Sequence, residues 1–223
     1  MIIHSAGHPP ILRLLTLSVL LLVLGDLGMA FLHCFPRALM HVPGLLVFLA
    51  ALFLMWFYRD PERRATAPPG ALLAGADGRV IQVLRREHIP ELGGPGTQVS
   101  IFMSPLDVHV NRVAAAGRVA AVDYRPGKYL MAFHEKSSEL NEACLLVIED
   151  EAGRRTAQRQ IAGFLARRVV CSVEPGQRLE RGQRYGIIKL GSRMDHFLPA
   201  AVRVDLRTGQ RVKAGESILG EWT

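Results

Sequence analysis

Near the end of the chain an apolar run, Ile187-Ile188-Lys189-Leu190, stops at Gly191-Ser192, a pair that can break its own peptide bond. Glycine reaches backbone conformations closed to other residues, so its carbonyl can be bent toward the side chain that follows. The Ser192 hydroxyl can then attack the Gly191 carbonyl and convert the amide to an ester. β-Elimination splits the chain and leaves dehydroalanine, which hydrolyses to an N-terminal pyruvoyl group with loss of ammonia. Taken alone, a Gly-Ser pair after an apolar strand is an ordinary turn, so this chemistry needs company elsewhere in the chain.

Other chemistries find little in the sequence. Cys34, Cys144 and Cys171 lie far apart with no CxxC pair, which argues against a disulfide scaffold and a Cys-rich zinc site and fits thiols kept reduced. The histidines, among them His88, His134 and His196, form no HExxH-type spacing, so no metal is expected. No Gly-rich nucleotide loop is present. Nor is there a zinc-finger, RNP or Lys/Arg-block pattern, and nucleic acid is not an expected partner.

The elements that would position such a site fall into two parts. The chain has 223 residues, 49% of them apolar, and charged residues make up 21% without long blocks, which excludes a mostly disordered chain. Residues 1–60 hold three arginines against two aspartates, and the remainder holds 24 basic and 18 acidic groups, a balance of +6. A basic soluble part beside an apolar N-terminus points to an anionic lipid surface. From Ile11 to Phe35 the only formal charges are Arg13 and Asp26, and after a connector, Pro36 to His41, Val42 to Tyr58 is again apolar beyond its Pro43-Gly44 entry. The expected element is a membrane-anchoring helical hairpin over residues 1–60. Its second arm is short, because 17 residues reach about 25 Å against a roughly 30 Å hydrocarbon core. Arg13, Arg59, Arg63 and Arg64 flank the hairpin while its connector has only Arg37, which places both ends on the cytoplasmic side of the cell membrane.

Residues 61–223 read as a mainly β domain. Strands are expected at Arg79–Leu84, Gln98–Met103, Arg118–Tyr124, Cys144–Glu149, Gln158–Ile161, Ala166–Cys171, Tyr185–Leu190, Ala201–Leu206 and Ser217–Trp222, with one short helix at Ser137–Ala143. Two internal echoes accompany them. Residues 76–83 resemble 115–122, a turn glycine followed by a strand, and residues 176–183 resemble 209–216. The second pair has the G-x-x-V-x-x-G-x pattern of lipoyl/biotinyl barrel-sandwich hairpins. Pseudo-symmetric halves of one β sandwich are therefore expected. A carrier module of that kind would use Lys189 as its modified lysine, although the Met-Lys-Met or Asp-Lys-Ala context is missing.

The company that Gly191-Ser192 needs is there. Together with Leu190-Gly191-Ser192, the stretches Phe57-Tyr58-Arg59-Asp60-Pro61-Glu62-Arg63, Ala76-Asp77-Gly78 and Phe102-Met103-Ser104-Pro105-Leu106-Asp107-Val108-His109-Val110-Asn111-Arg112 resemble phosphatidylserine decarboxylase, in its compact prokaryotic form. The resemblance runs in consistent order over roughly residues 57 to 223. It implies self-cleavage into a β chain, 1–191, and a 32-residue α chain, 192–223, held as a heterodimer or a higher oligomer. It also implies a pyruvoyl group derived from Ser192, with no pyridoxal phosphate and no metal. That group would form a Schiff base with the serine amine of phosphatidylserine and take up the electrons released as CO2 leaves, giving phosphatidylethanolamine.

In that reading His109 is the general acid/base, its imidazole able to give and accept protons near neutrality. Asp77 corresponds to the aspartate that assists cleavage, and Arg112 is the expected contact for the substrate phosphate. The chain departs from the long bacterial form at Arg193, where threonine is usual, and at Arg112, where a second histidine is usual. The rival readings are the membrane-anchored carrier and a relative that has kept the fold and lost processing.

Overall fold

The computed structural model describes residues 2–31, 37–127, 140–163, 168–189 and 192–223. The chain folds as two compact units, Met1–Pro61 and Glu62–Thr223.

The first unit is two apolar helices, α1 (His8–Phe31) and α2 (Arg37–Phe57), preceded by a 3-10 turn at Ser5–Gly7. The helices lie against one another where α2 is thinnest: a Cβ on Gly44 would fall 2.7 Å from the Leu22 side chain, and Ser18 Oγ donates to the Gly44 carbonyl at 3.0 Å. Pro43 sits inside α2 instead of opening it, so the helix begins earlier than the apolar pattern implies. The N-terminal strand-like stretch and the end of α2 close the unit, His4 N–H donating to the Tyr58 carbonyl and Asp60 N–H to that of Ile2, both at 2.8 Å. Asp26, the isolated charge of the first arm, lies 3.7 Å from His41 of α2. Leu12, Val19, Leu24, Leu46, Phe53 and Trp56 remain exposed. By length and composition the stretch Ser5–Leu27 is long enough to cross a membrane, whereas His41–Phe57 is a shorter apolar helix.

The second unit is mainly β. Its strands are β1 (Ala71–Leu73), β2 (Gly78–Ile89), β3 (Gly94–Met103), β4 (Val110–Arg112), β5 (Gly117–Arg125), β6 (Ala143–Glu149), β7 (Arg155–Ala162), β8 (Val169–Cys171), β9 (Arg178–Leu179), β10 (Arg184–Ile188), β11 (Ser192–Pro199), β12 (Val202–Arg203), β13 (Arg211–Val212) and β14 (Ile218–Trp222). An eight-stranded antiparallel sheet runs β13-β2-β3-β11-β7-β6-β5-β9, joined by three-stranded sheets β1-β14-β12 and β4-β10-β8. Val80 on β2 and Val119 on β5 belong to the same core although four strands separate them, so the large sheet must curl. Met103, Leu146, Met194 and Leu198 fill that core.

The echoes in sequence are equivalent positions in this sheet. Val80 N–H donates to the Gln210 carbonyl (2.9 Å) and Gly209 N–H to that of Val80 (2.7 Å). Val119 repeats both bonds with Gln177 and Gly176, each at 2.8 Å. Gly215 N–H reaches the Ala74 carbonyl and Gly182 N–H that of Val113, again 2.8 Å each. Gly182 and Gly215 both have positive φ, +80° and +73°, which glycine adopts without strain, and a Cβ on Gly215 would fall 2.8 Å from Arg112 Cδ. The two halves of the sheet, β13-β2-β3-β11 and β9-β5-β6-β7, are thus related by a pseudo-twofold axis running between β11 and β7.

One central strand escapes the sequence pattern. β11 lies between β3 and β7, and Ser192 to Leu198 are all buried. Its polar residues are the reason: Ser192, Arg193, Asp195 and His196 interrupt any apolar alternation. They are tolerated because each finds partners inside. Arg193 Nε donates to Asp195 Oδ1 (2.6 Å) and its Nη2 to Ser100 Oγ (2.9 Å), while Gln98 Nε2 donates to Asp195 Oδ2 (3.1 Å). The short strands β1, β4, β9 and β13 are also additions to the expected set. Of the proposed helix Ser137–Ala143, residues 137–139 lie outside the described residues and Ala143 opens β6.

Candidate active site

Ser192 opens β11, fully buried, opposite Met103 on β3 and Ala162 on β7. Gly191, the other half of the expected cleavage pair, lies outside the described residues, as do Leu190, Cys34 and His134. The strand before the gap is fixed differently: Ile187 of β10 pairs with Val110 of β4, and Ile188 N–H donates to the His109 carbonyl at 3.3 Å. The segments 104–108 and 189–191 are therefore bridges between the same two places. Each runs between the Met103–Ser192 pair and the His109–Ile188 bond. This shared anchorage ties the His109 backbone to β10, the strand that precedes Ser192 in the chain.

The loop that carries His109 is held from within. Asp107 Oδ2 accepts the Ser104 N–H at 2.8 Å, and the Asp107 carbonyl lies 3.0 Å from His109 Nδ1. A carbonyl can only accept, so Nδ1 carries the proton and Nε2 is the basic nitrogen of the neutral ring. His109 is fully buried.

Asn111 follows two residues later on the same side of the chain, and none of the recognised motifs assigned it a role. Its Oδ1 accepts from Gln160 Nε2 at 2.7 Å, and its Nδ2 points to Met103 Sδ at 3.9 Å. Ser192 Oγ donates to the same sulfur at 3.2 Å. Asn111, Met103, Gln160 and Ser192 thus form one buried cluster. The signal that could have found Asn111 is its even spacing from His109, which in extended chain puts both on one face.

Asp77 is engaged elsewhere. Both carboxylate oxygens are taken by Arg63, through Nη1 and through Nη2 (2.8 Å), and Oδ1 also accepts the Ala214 N–H at 2.8 Å. Two of the recognised stretches, 57–63 and 76–78, are thereby joined by a buried ion pair. Gly78 follows because β2 starts hard against β3: a Cβ there would collide with the Phe102 carbonyl oxygen, and its φ is +152°. Asp77 sits at the strand end two strands from Ser192, with Met103 between them.

Arg112, the expected phosphate contact, is the last residue of β4. Being next to Asn111 on β4, it takes the opposite face, is buried, and donates from Nη1 to the Gly182 carbonyl at 3.0 Å. It braces the Gly182 turn.

Two further buried groups have shifted acidities. His196 Nε2 accepts the Gly75 N–H at 2.9 Å, and full burial pushes its pKa down to about 3 against a weaker opposing pull from the Val99 backbone. Cys144 and Cys171, distant in sequence, come together. Their mutual hydrogen bond raises the Cys144 thiol, with burial adding to the shift, and lowers Cys171 to about 7. Among the described residues no group of three His, Cys, Asp or Glu could hold a metal ion.

A pyruvoyl group at position 192 is compatible with this surrounding. The serine hydroxyl leans on a thioether, a weak acceptor, so converting it to a carbonyl strands no strong buried partner. Gln160 Oε1, buried without a partner among the described residues, offers an acceptor in the same cluster.

The comparisons with known proteins agree with the resemblance. Residues 50–220 match the family model described as phosphatidylserine decarboxylase. The phosphatidylserine decarboxylase proenzyme of Chlorobaculum parvum is 46% identical over 177 residues, 79% of this chain and 82% of the relative. That of Salinibacter ruber is 45% identical over 75% of each chain, and that of Desulfotalea psychrophila 40% identical over 78% of this chain and 81% of its own. The matched region takes in Asp77, His109, Asn111 and Ser192, and the chain belongs to the phosphatidylserine decarboxylase family, as a decarboxylase in proenzyme form.

Proposed function

We propose that this chain is a membrane-anchored, pyruvoyl-dependent enzyme that converts phosphatidylserine to phosphatidylethanolamine and CO2 after cutting itself between Gly191 and Ser192. The observation that carries the reading is the shared anchorage of two segments: the one containing the cleavage pair and the one ending at His109 start and finish on the same strand pair and backbone bond. In the precursor, Ser192 Oγ adds to the Gly191 carbonyl and the C–N bond breaks, leaving an ester and a free amine. Loss of the Cα proton of residue 192 with departure of the Gly191 carboxylate yields dehydroalanine, and water then replaces the nitrogen, released as ammonia.

The resulting pyruvoyl carbonyl supplies an electron sink for the carboxylate lost from a bound amine. The chain's own residues do the rest. His109 takes up a proton at Nε2 to become an imidazolium and delivers that proton to the carbon that has lost CO2, with Nδ1–H held to the Asp107 carbonyl so that the ring keeps one orientation. Asn111 and Gln160 fix the polar wall beside position 192. Asp77 assists cleavage by holding the start of β2, through Arg63 and the Ala214 N–H, against the strand that carries Met103. The cut chains stay together as a heterodimer because β11, the first strand of the α chain, is paired on both sides, while β13 and β14 pair with β2 and β1. The duplicated turns support a barrel-sandwich of the lipoyl/biotinyl kind. The exposed leucines of α1 and α2 support a hairpin set in the cytoplasmic face of the cell membrane. The carrier reading of Lys189 loses its support, since the relatives are named as decarboxylase proenzymes.

Denaturing mass spectrometry tests this directly. The wild type gives two fragments, the 32-residue one blocked at its N-terminus, and borohydride with phosphatidylserine traps lipid on that fragment. Ser192→Ala stays as one chain without activity. A variant that still splits at this point would overturn the assignment of the nucleophile. His109→Ala is expected to lower decarboxylation by about a hundredfold or more.

A further inference from the structure

Asn111 is fully buried and gives its amide hydrogens a poor acceptor. Nδ2 points at Met103 Sδ from 3.9 Å, a long contact to a thioether. The other end of the amide is fixed, Oδ1 accepting from Gln160 Nε2 at 2.7 Å. Gln160 is also fully buried, and it lies against bare backbone at Gly186, where a Cβ would come within 2.9 Å of Nε2. Donors and acceptors dictate this order. A thioether can only accept, so Asn111 turns its NH2 to the sulfur and its oxygen to Gln160, and Gln160 turns its own NH2 to that oxygen. A buried amide whose N–H is so weakly used is costly unless a better acceptor arrives.

The sulfur locates that acceptor. Ser192 Oγ donates to the same atom at 3.2 Å, so the expected nucleophile and Asn111 Nδ2 meet at one thioether. The register agrees. Met103 and Ala162 oppose Ser192, and Gln160 lies two residues from Ala162, on the same face of β7. When Oγ adds to the Gly191 carbonyl, the C=O electron pair moves onto the oxygen. The hydroxyl proton ends on the nitrogen of residue 192, the pair returns, and the C–N bond breaks to give ester and amine. Midway the oxygen is an anion two bonds from Oγ, beside a side chain that water does not reach. It needs a donor. Ser192 gives up its hydrogen in this step, Met103 has none on sulfur, and Gln160 is tied to Asn111. His109 keeps its Nδ1–H on the Asp107 carbonyl. Arg193, the next residue on β11, is turned to the other face, where it holds Asp195 and Ser100. Within the cluster the amide of Asn111 is the donor that remains.

We propose that Asn111 is a catalytic residue of the self-cleavage step, its Nδ2–H donating to the oxyanion formed at the Gly191 carbonyl, and that Gln160 is the positioning residue that aims it. This rests on the self-cleavage reading, and the test separates the two. The full chain is made by cell-free synthesis in a neutral detergent, and splitting is followed by denaturing mass spectrometry with and without hydroxylamine, which breaks the ester once it exists. Asn111→Ala is expected to slow splitting about a hundredfold or more. Gln160→Met should slow it about tenfold, and should slow it no further when added to Asn111→Ala. Hydroxylamine should not restore the rate of Asn111→Ala, because the oxyanion precedes the ester. The uncut Asn111→Ala chain should unfold at a urea concentration close to that of uncut Ser192→Ala. Splitting of Asn111→Ala at the wild-type rate would overturn the proposal. So would a rate restored by hydroxylamine, which would place the loss at the elimination. An uncut chain unfolded in dilute urea, or fully additive losses in the double variant, would also overturn it, since both mark a packing role. A wild-type chain that splits neither with hydroxylamine nor without it would instead sink the self-cleavage reading.

Discussion

The two halves of the curled sheet share their skeleton and divide the work unequally. Val80 and Val119 make the same pair of backbone bonds to the same kind of glycine turn. Yet where one half has Gly75, Asp77 and His196, the other has Ala114, Ala116 and Gln158 at the equivalent positions. His196 and Gln158 face one another across β11 and β7, His196 accepting the Gly75 N–H and Gln158 that of Ala114 at 2.8 Å. The backbone symmetry accounts for stability, because it needs only small residues and turn glycines. The chemistry sits in the departures from it: a buried carboxylate, a titratable imidazole and a strand that begins with serine.

The largest expected effect comes from the departure with no counterpart, the Arg63–Asp77 pair. The side chains are 7% and 12% exposed, so removing either leaves a charge in a poorly solvated place. Asp77→Ala is expected to cost about 3 kcal/mol or more in urea unfolding, and Arg63→Ala a similar amount. The Arg63→Met/Asp77→Ala double variant should recover much of the loss, since no unpaired charge remains. Ala116→Ser, at the equivalent position, should stay within about 0.5 kcal/mol of wild type. Asp77→Asn keeps an acceptor for the Ala214 N–H, so a loss of self-cleavage in that variant larger than its loss of stability would assign the carboxylate charge to the cutting step.

The sequence made much of this legible, for definite reasons. Strands such as Cys144–Glu149 and Gln98–Met103 announce themselves because they are β-rich and bounded by turn residues. The echoes at 76–83 and 115–122 repeat turn glycines whose backbone bonds also repeat. The sequence could not show that Ser192 heads a central strand, because the Arg193–Asp195–Ser100–Gln98 network that makes its polar residues tolerable is assembled from two strands distant in the chain. The side that Arg112 takes is hidden for a similar reason. Neighbouring residues on a strand face opposite ways, and only the pairing of β4 with β10 reveals which side carries Asn111. Arg63 has no chemical signal apart from its partner, which lies on another stretch of the chain.

His196 gives the comparison a pH dependence. Its folded pKa of about 3 lies below the ordinary 6.5, so between those values the unfolded chain binds a proton that the folded chain refuses. Stability contributed by the neutral imidazole is therefore complete above pH 6.5 and is lost as pH falls toward 3, by about 1.4 kcal/mol per unit. His196→Gln should flatten that slope by one proton, measured by urea unfolding at a series of pH values. Hydrogen exchange offers a local view: protection of the Gly75 amide should fall relative to that of Ala114 below pH 6, because glutamine does not titrate. Parallel behaviour of the two amides would show that the halves respond to acid as one.

The smallest effects probe the same pair of amides by size alone. A Cβ on Gly75 would strike Gln158 Nε2 and come within 2.7 Å of the Arg112 carbonyl and 2.8 Å of Met194 Sδ, so Gly75→Ala must move backbone as well as side chains. About 1–3 kcal/mol of destabilisation is expected, the range for overpacked cores. Ala114 already carries its methyl at the equivalent place, and Ala114→Gly removes it for about 1 kcal/mol or less. The order of the two costs is what matters. The half that holds Asp77 is packed closer about its turn than the half that lacks it, and a larger cost for Ala114→Gly than for Gly75→Ala would reverse that ranking.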